Sequence, residues 1–492
     1  MEGAEVRPRL APLDGSFLRV ETPNAHMHVG WAAVFRPHPG RPRPTVEALR
    51  RSVTGRLHLT PCFRQRLAFP LPGFGEPFWV DAPEFEVASH VTALTSDNDP
   101  VSLDTFHMLA DAAFSTPLDR GRPLWHVYLV PRLEDGRVGM LAKLHHAMVD
   151  GLSAVELGLL LLDSDPDAPV PPAPEPSERW LPARVPGQIS LAVESAASLA
   201  GEALRGARAT AELAFSPRRQ GAALAATLRR VASVVRDDLL PAAPESAVNV
   251  PIGPQRTLVR GRVEMDALER ARTALRASGG PRVTVNDVYL AAVAGALRTL
   301  ALRRGEQPVP LKAMVPVSVR ADSERASLGN RISFVFLELP VHKASAAGRL
   351  EDVHSSTRAF KDSGRVAGGE TVLSALGFLP DPLKDIAARM AASARAYNLT
   401  ISNIPGPSVP VFLLGAELDE AHPVVPLSED HALSVGVFTY RGGAFFGFYA
   451  DPDALPEVSE LPDAVAAEVA ALAEADAEPP PQTRKPRRLA AV

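Results

Sequence analysis

The stretch His145-His146-Ala147-Met148-Val149-Asp150-Gly151 places two adjacent imidazoles, an aspartate and a glycine at the predicted junction of a strand and a helix. The preceding run, Val138–Leu144, is short and apolar and follows Gly136, which is typical of a buried strand. After the stretch, Ser153–Glu156 predicts a capping box that opens an apolar helix through Leu162. A histidine at such a junction is held by the scaffold and faces a cleft. Its ordinary pKa of about 6.5 suits a general base.

Two other interpretations of these histidines compete with the general base. The pair could be structural and end a strand, although burying two imidazoles beside a helix start is costly. They could also bind a metal, because His146 and Asp150 are four residues apart and His145 offers a third ligand. The segment has no second helical His-x-x-x-His pair and the sequence has no cluster of cysteines. We therefore favour the base and predict no metal.

Composition indicates a sizeable enzyme and excludes several classes of protein. The 492 residues predict two or more domains, and 46% hydrophobic with 22% charged residues is ordinary for globular proteins. A net charge of −5 argues against nucleic acid as the main partner. The single cysteine, Cys62, fits a reducing cytoplasm and is more typical of a small buried hydrophobe than of a nucleophile. No apolar signal segment or membrane-spanning run is visible, so we expect a cytoplasmic protein.

The order of strand-like and helical patterns predicts an α/β or α+β fold with two similar-sized domains. The predicted parts are an N-terminal domain at 1–163, a Pro/Ala-rich linker and helical connection at 164–250, a C-terminal domain at 251–477 and a disordered basic tail at 478–492. Between Leu204 and Arg236 the sequence has seven arginines and one acidic residue, Glu212. That segment is either a solvated helical pair, which we slightly favour, or a surface that rests on anionic lipid.

The secondary structure is predicted from periodicity and capping. The expected strands are His28–Phe35, Val127–Val130, Val138–Leu144, Leu258–Met265, Leu311–Val319, Ile332–Pro340, Tyr397–Ser402, Val411–Glu417 and the hairpin Ala432–Tyr440 with Ala444–Tyr449. The expected helices are one capped by Thr45, one capped at Asp266 and ended by Gly279-Gly280, one from Thr284 to about Arg304 and one over Glu457–Ala475. Ser402–Pro407 is expected to form a turn with Gly406 in a special backbone conformation.

The His145–Gly151 motif resembles the His-His-x-x-x-Asp-Gly signature of CoA-dependent acyltransferases and peptide-synthetase condensation domains. Further short pieces resemble the bacterial wax ester synthase/diacylglycerol acyltransferase branch, and they follow that family's order from about residue 8 to residue 450. These pieces are Pro12-Leu-Asp14, Met27–Gly30, Pro123-Leu-Trp125, Asn249–Pro254 with Arg256, Asn286-Asp287, Pro316–Arg320, Gly329-Asn330 and Ser402–Pro407. Each piece alone is a weak signal, whereas the ordered set with the histidine motif is strong.

The resemblance implies a two-domain fold like that of chloramphenicol acetyltransferase, with an active-site tunnel between the halves. Acyl-CoA and the acceptor alcohol would meet at His146, the implied general base. His145 would orient His146 or simply pack, while Asp150 and Gly151 would be structural. Acyl-CoA is implied as a substrate, and no cofactor is implied.

Chemical reasoning supports a direct transfer independently of the resemblance. An alcohol needs a base to remove its proton as it attacks, whereas a thioester carbonyl is already electrophilic and thiolate leaves readily. The sequence has no Gly-x-Ser-x-Gly elbow for an acyl-enzyme. Asn286, at a predicted helix start, is the candidate oxyanion donor, with a plain N-cap beside Asp287 as the equal alternative. The other candidate substrate-binding residues are Ser318, Ser402, Asn403 and Trp125, the last of which is more typical of the core or a tunnel wall.

Three functional hypotheses follow. The leading one is an O-acyltransferase that esterifies diacylglycerol, and long-chain fatty alcohols as a second acceptor class, to triacylglycerol or wax ester. The alternative keeps the mechanism but uses a polyketide-lipid or glycolipid acceptor, or a carrier-protein thioester donor. A non-catalytic protein of the lipid-droplet or membrane surface is a third class, against which the intact motif argues. The expected partners are acyl-CoA and the acceptor, with peripheral contact to the inner face of the plasma membrane or to lipid inclusions.

Overall fold

The computed structural model describes residues 8–72, 75–148, 157–158, 160–172, 180–197, 200–201, 241–277, 279–318, 332–362 and 381–474. Several sequence predictions lie outside these residues: the capping box at Ser153–Glu156, the arginine-rich stretch, Gly329-Asn330 and the basic tail.

The described residues form fourteen strands with the following bounds: β1 His28–Arg36, β2 Gln65–Ala68, β3 Phe78–Asp81, β4 Val91–Ala93, β5 Trp125–Val130, β6 Val138–His145, β7 Thr257–Glu264, β8 Leu311–Ser318, β9 Ile332–Leu339, β10 Leu399–Pro405, β11 Phe412–Leu413, β12 Ala416–Val424, β13 Leu433–Tyr440 and β14 Gly443–Ala450. The named helices are α1 Pro12–Val20, α2 Val46–Arg56, α3 Leu103–Ser115, α4 Met265–Ala277, α5 Val285–Arg303, α6 Ala346–Asp362, α7 Asp381–Ala391 and α8 Leu461–Glu474. Residues 188–197 are helical as well.

The first sheet has the order β11-β12-β1-β6-β5-β4. Its pairs are antiparallel except β4 with β5, which run parallel. Every residue of β6 is buried, as expected for a central strand that is covered on both faces. The strand predicted from the apolar run before the histidines is therefore confirmed, and it extends by one residue to His145.

The second sheet has the order β7-β14-β13-β10-β8-β9, with β10 parallel to both of its neighbours. Its β13–β14 hairpin turns at Arg441 and Gly442, whose φ angles are 40° and 85°. Two positive φ angles at the centre of a two-residue loop match the right-handed twist of the strands, so glycine is favoured there. The predicted hairpin is confirmed.

The strand β12 joins the two sheets. It follows the second-sheet strand β10 in sequence, yet Ala32 of β1 pairs with its His422 in the first sheet. Its end crosses the second sheet so closely that a Cβ atom at Gly447 would overlap the carbonyl oxygen of Pro423. Sequence order assigned residues 412–424 to the C-terminal half, whereas their hydrogen bonds place them in the first sheet. The open edge of β1 needs a partner, and sequence order carries no information about such a long-range pairing.

Four local predictions need correction. Residues 411–417 form two strands rather than one, because Leu414 and Gly415 turn with φ angles of 50° and 82°. The helix α4 begins at Met265, so Asp266 lies in its first turn. The chain stays extended through Pro405, and Gly406 keeps an ordinary φ. Its missing Cβ is needed instead because a side chain there would overlap the Thr439 carbonyl oxygen. The last predicted helix begins as a 3-10 turn over Pro456–Glu460.

Two of the helices, α5 and α3, bear on how the interior and the two halves are held together. α5 is long and apolar enough to cross a membrane by length and composition, but 67% of its apolar window is buried inside the protein. It is therefore a core helix, and no other described helix passes the same test. α3 links the halves, because Asp111 accepts hydrogen bonds from the Leu258 N–H at 2.9 Å and the Thr257 hydroxyl at 2.7 Å.

Candidate active site

The two histidines stand at the end of β6. His145 is its last residue, opposite His28 of β1, and His146 begins a 3-10 turn that runs to Met148. The backbone N–H of His146 donates to the Met27 carbonyl oxygen at 2.8 Å. The segment before β1 thus holds the backbone of the turn.

His145 has one hydrogen bond and one ion-pair contact, on different ring nitrogens. Nδ1 accepts the backbone N–H of Ala147 at 3.0 Å, so the ring proton lies on Nε2. Nε2 lies 3.4 Å from Oε2 of Glu21, which also pairs with Arg120. Burial alone would raise the pKa of Glu21, but hydrogen bonding and charge from His145 and Arg120 outweigh it and lower that pKa. His145 therefore contacts the turn that carries His146, and its role in orienting His146 stays a prediction.

His146 is stacked on Phe17 of α1. The two ring centroids are 3.7 Å apart and the planes differ by 16°. The ring is densely surrounded although part of the residue still contacts solvent. Burial lowers the pKa of His146 to about 4, partly opposed by a contact with its own backbone. The imidazole is therefore neutral near pH 7 and able to accept a proton.

A buried lysine lies two residues before the motif. Lys143 is 1% exposed, and its ammonium donates to the carbonyl oxygens of Ala113 at 2.8 Å and Thr116 at 2.7 Å. Both carbonyls lie at the C-terminal end of α3, where a cation is favoured. Burial lowers the pKa of Lys143 to about 8. Burial, followed by the charge of Lys143, also holds the pKa of His28 well below its usual range.

The motif lies close to the junction of the two halves. Just before β1, the Asn24 side chain donates to the Ile252 carbonyl oxygen at 2.9 Å. The guanidinium of Arg256, a 3% exposed residue, donates to the carbonyl oxygens of Asn24 and Gly253. Arg256 also lies 3.8 Å from the Asp451 carboxylate. The second half therefore supports the segment that carries Met27, the backbone partner of His146.

The structure brings together two of the predicted polar residues, Asn286 and Asn403. The Asn403 side-chain amide donates to Asn286 Oδ1 at 3.3 Å. The N-cap of α5 is Thr284, whose hydroxyl accepts the Asp287 N–H, so the alternative in which Asn286 caps the helix is wrong. With Oδ1 engaged, the Asn286 NH₂ group remains as a donor at the start of α5.

Asp287 and Trp125 lie in the protein interior. Asp287 is 1% exposed and accepts the Thr284 N–H and the Thr357 hydroxyl, both at 2.8 Å, while His354 lies at 3.1 Å. Its hydrogen bonds join α5 to α6. Trp125 is also 1% exposed and donates to the Phe63 carbonyl oxygen at 2.8 Å. Of the two environments predicted for Trp125, the structure places it in the core.

The remaining predicted site residues are only partly visible. Ser402 is half-buried on β10 opposite Gly436. Ser318 is the last residue of β8, and its side chain lies outside the described residues. Asp150 and Gly151 lie outside them entirely. Within the described part of the chain, no group of three or more His, Cys, Asp or Glu side chains could hold a metal ion.

Sequence reasoning missed Glu21, Phe17 and Lys143. Phe17 and Glu21 lie more than a hundred residues before the histidines, so no local pattern joins them to the motif. Their one visible signal is position, between the Pro12–Asp14 and Met27–Gly30 pieces. Lys143 was visible as a charge inside an otherwise apolar strand, a pattern that indicates a buried and paired group.

Two family models match the chain. The wax ester synthase/diacylglycerol acyltransferase catalytic domain matches residues 10–289, and the WS/DGAT C-terminal domain matches residues 328–473. Two relatives from Mycobacterium tuberculosis, named probable diacylglycerol O-acyltransferases tgs1 and tgs2, are each 30% identical to the chain. The alignments cover 92% of this chain and 93% and 96% of the relatives.

Solved structures agree with this assignment. The wax ester synthase/diacylglycerol acyltransferase from Marinobacter aquaeolei VT8 has a TM-score of 0.64 and 26% identity, covering 94% of this chain and 98% of that one. The first condensation domain of the calcium-dependent antibiotic synthetase has a TM-score of 0.57 and 18% identity, covering 96% and 97%. The latter likeness shows the fold alone. The predicted mixed α/β acyltransferase-like fold is confirmed.

Proposed function

Because the chain belongs to the wax ester synthase/diacylglycerol acyltransferase family, we propose that it transfers an acyl group from acyl-CoA to the hydroxyl of diacylglycerol. Triacylglycerol and free CoA are the products. Long-chain fatty alcohols are the second acceptor class and would give wax esters. The observation that carries the proposal is the imidazole of His146, which is neutral near pH 7 and belongs to a half-buried residue at the end of β6.

In the proposed reaction, His146 acts as general base. A ring nitrogen takes the proton of the acceptor hydroxyl while the oxygen attacks the thioester carbonyl carbon. The tetrahedral intermediate collapses, the carbon–sulfur bond breaks and the ester forms. The imidazolium then returns its proton to the CoA thiolate, so the imidazole is neutral again after each turnover. The transfer needs no acyl-enzyme and no further cofactor.

The Asn286 side-chain amide is the proposed donor to the oxyanion. Its Oδ1 is engaged by Asn403, which leaves the NH₂ group to donate. The amide stands in the first turn of α5, where the helix dipole favours negative charge. Preorganised donors of this kind stabilise the charge that develops on the carbonyl oxygen.

The test is CoA release from palmitoyl-CoA with dioleoylglycerol, hexadecanol or no acceptor, comparing the wild type with His146→Ala. Release that depends on both an acceptor and His146, with the ester detected as product, supports the proposal. Undiminished turnover by His146→Ala would overturn the catalytic assignment. Transfer seen only with a glycolipid or polyketide-lipid acceptor, or only from a carrier-protein thioester, would favour the alternative.

The protein is further proposed to be cytoplasmic and to visit a lipid surface, where an apolar acceptor resides. Leu383, Ile386 and Met390 on α7 are 49%, 55% and 67% exposed. The polar side of α7 packs on α1, with Arg19 and Asp385 at 2.6 Å, so the apolar residues lie one helix away from Phe17 and His146. Exposed apolar residues on one helix face favour contact with lipid.

Vesicle co-sedimentation tests the lipid contact, using phosphatidylcholine vesicles with and without dioleoylglycerol. The double variant Ile386→Ser/Met390→Ser should bind vesicles less than the wild type and keep its turnover on a short-chain, water-soluble acceptor. Leu302, 53% exposed at the end of α5, offers the control substitution Leu302→Ser. Equal loss of binding by the control, or no loss by the double variant, would contradict this surface.

A further inference from the structure

We infer that Glu21 is a positioning residue for acyl transfer, because its carboxylate holds His145 in the ring tautomer that shapes the turn carrying His146. This inference rests on the proposed role of His146. Glu21 would touch neither substrate nor reacting atoms. Its effect would pass through the His145 ring and the backbone of the turn.

The first step is the contact between Glu21 and His145. Glu21 follows the end of α1, and its side chain is 9% exposed while that of His145 is 1% exposed. Oε2 lies 3.4 Å from Nε2, within ion-pair distance, and Nε2 has no hydrogen-bond partner among the described groups, so Glu21 is the acceptor nearest to hand for its proton. A buried N–H is costly to leave without an acceptor, so the carboxylate favours the proton on Nε2.

The second step is the contact between His145 and the turn. With the proton on Nε2, Nδ1 has a lone pair that accepts the Ala147 N–H at 3.0 Å. The other tautomer would point an N–H at an N–H and lose this bond. Ala147 directly follows His146, and the His146 N–H is held by the Met27 carbonyl oxygen. The backbone of His146 is therefore fixed on both sides, and Glu21 secures one of them.

The third step concerns the charges around Glu21. Arg120 pairs with the same oxygen, Oε2, and also donates to the Leu18 carbonyl oxygen at 3.2 Å, so it anchors the carboxylate against the end of α1. Burial lowers the pKa of the nearby His26, and the charge of Glu21 partly opposes this. Glu21 is thus the acidic partner in a basic surrounding. Removing its acceptor oxygen should misplace His146 rather than prevent substrate binding.

The experiment compares Glu21→Met, which keeps the length but removes the acceptor, with Glu21→Gln, whose amide oxygen can still accept the Nε2–H. We expect Glu21→Met to lower kcat about 100-fold with little change in KM for acyl-CoA, as misplaced catalytic groups do. Glu21→Gln should lose at most about tenfold. In a His145→Ala background, Glu21→Met should change kcat by less than about twofold, because the coupling partner is gone.

A matched control separates this role from general damage. Glu420 also stands between an arginine and a buried histidine, Arg137 and His422, but on β12. Glu420→Met should leave kcat within about twofold, since no catalytic turn depends on its histidine. Thermal melting of each variant shows whether it folds.

Three results would overturn the inference: retained kcat in Glu21→Met, equal loss in Glu21→Gln, or an undiminished effect in the His145→Ala background. Nitrogen-15 NMR of histidine-labelled protein, with His145 assigned from a His145→Gln spectrum, reads the tautomer without any assay of activity. If the wild type releases no CoA with any acceptor, the proposed function fails; if His146→Ala proves fully active, only the role of His146 as general base fails. The NMR shift of His145 in Glu21→Met still decides the tautomer then.

Discussion

The described part of the molecule contains two clusters of the same three residue types, glutamate, histidine and arginine, and the two clusters have different roles. At the first, Glu21 and Arg120 flank His145, whose Nδ1 accepts the N–H of Ala147 in the turn. At the second, Glu420 and Arg137 flank His422, whose Nδ1 donates to the Phe446 carbonyl oxygen of β14 at 2.9 Å.

The two clusters differ in what Nδ1 of the histidine binds. His145 connects to the short turn that carries His146, the proposed general base, so its cluster shapes the proposed site. His422 connects β12 of the first sheet to β14 of the second, so its cluster holds the two sheets together. Hydrogen bonding to His422 and the charge of Arg137 lower the pKa of Glu420, as His145 and Arg120 lower that of Glu21. Similar electrostatics therefore do not distinguish the two clusters, whereas the group that each histidine binds does.

The largest expected effect lies on the turn of the first cluster. Replacing His146 by alanine should lower kcat about 1,000-fold without unfolding the protein, because general bases contribute roughly 10²–10⁴-fold. The measurement is steady-state CoA release, with circular dichroism as the control for folding. A residual rate above a tenth of the wild-type rate would show that another residue acts as the general base.

The next effect tests whether the second half completes the site that the first cluster shapes. Asn286→Ala should lower kcat about 100-fold, since loss of one oxyanion donor costs about 3 kcal/mol. Asn286→Asp should not restore the rate, because a carboxylate repels the developing charge. Single-turnover rates with palmitoyl-CoA measure this step. A change confined to KM would assign Asn286 to substrate binding instead.

A smaller effect is expected at the second cluster, where a substitution should change stability rather than activity. Glu420→Met removes the ion pairs of Glu420 with Arg137 and His422, while Arg137 keeps Asp135 and Asp419, and should cost about 1 kcal/mol of unfolding free energy. The measurement is urea unfolding, with kcat determined at a temperature where the variant is folded. If Glu420→Met lost activity but not stability, the two clusters would be functionally alike.

The smallest effect concerns the pH dependence of kcat/KM. Burial lowers the pKa of His146 to about 4, so the neutral base persists as pH falls and is lost only near that value. Between pH 8 and pH 5.5 we expect less than about a twofold fall, whereas a base with the ordinary pKa of about 6.5 would lose roughly tenfold. A sharp fall near pH 6.5 would show that the free enzyme exposes His146 more than the structure does.

Part of this organisation was predictable from local pattern. The apolar run Val138–Leu144 predicted β6, and the alternation around Arg441-Gly442 predicted the β13–β14 hairpin. Capping was partly predictable, since Thr45 caps α2. At α5, however, the cap proved to be Thr284, and Asn286 lies one residue inside the helix. Hydrophobic periodicity and turn residues depend on a few neighbouring residues. They therefore predict that a helix or strand exists better than they predict where it ends.

The sequence by itself determined which residue types stand at the turn after β6, through the ordered motif around His145 and His146, and it determined the strands that support them. Tertiary structure alone decided that Glu21 meets His145, that Phe17 stacks on His146 and that Asn403 meets Asn286. It also decided that β12 leaves the second half to pair with β1. The physical reason is distance along the chain. Local patterns depend on neighbours a few residues away, whereas these contacts form only after packing brings distant segments together.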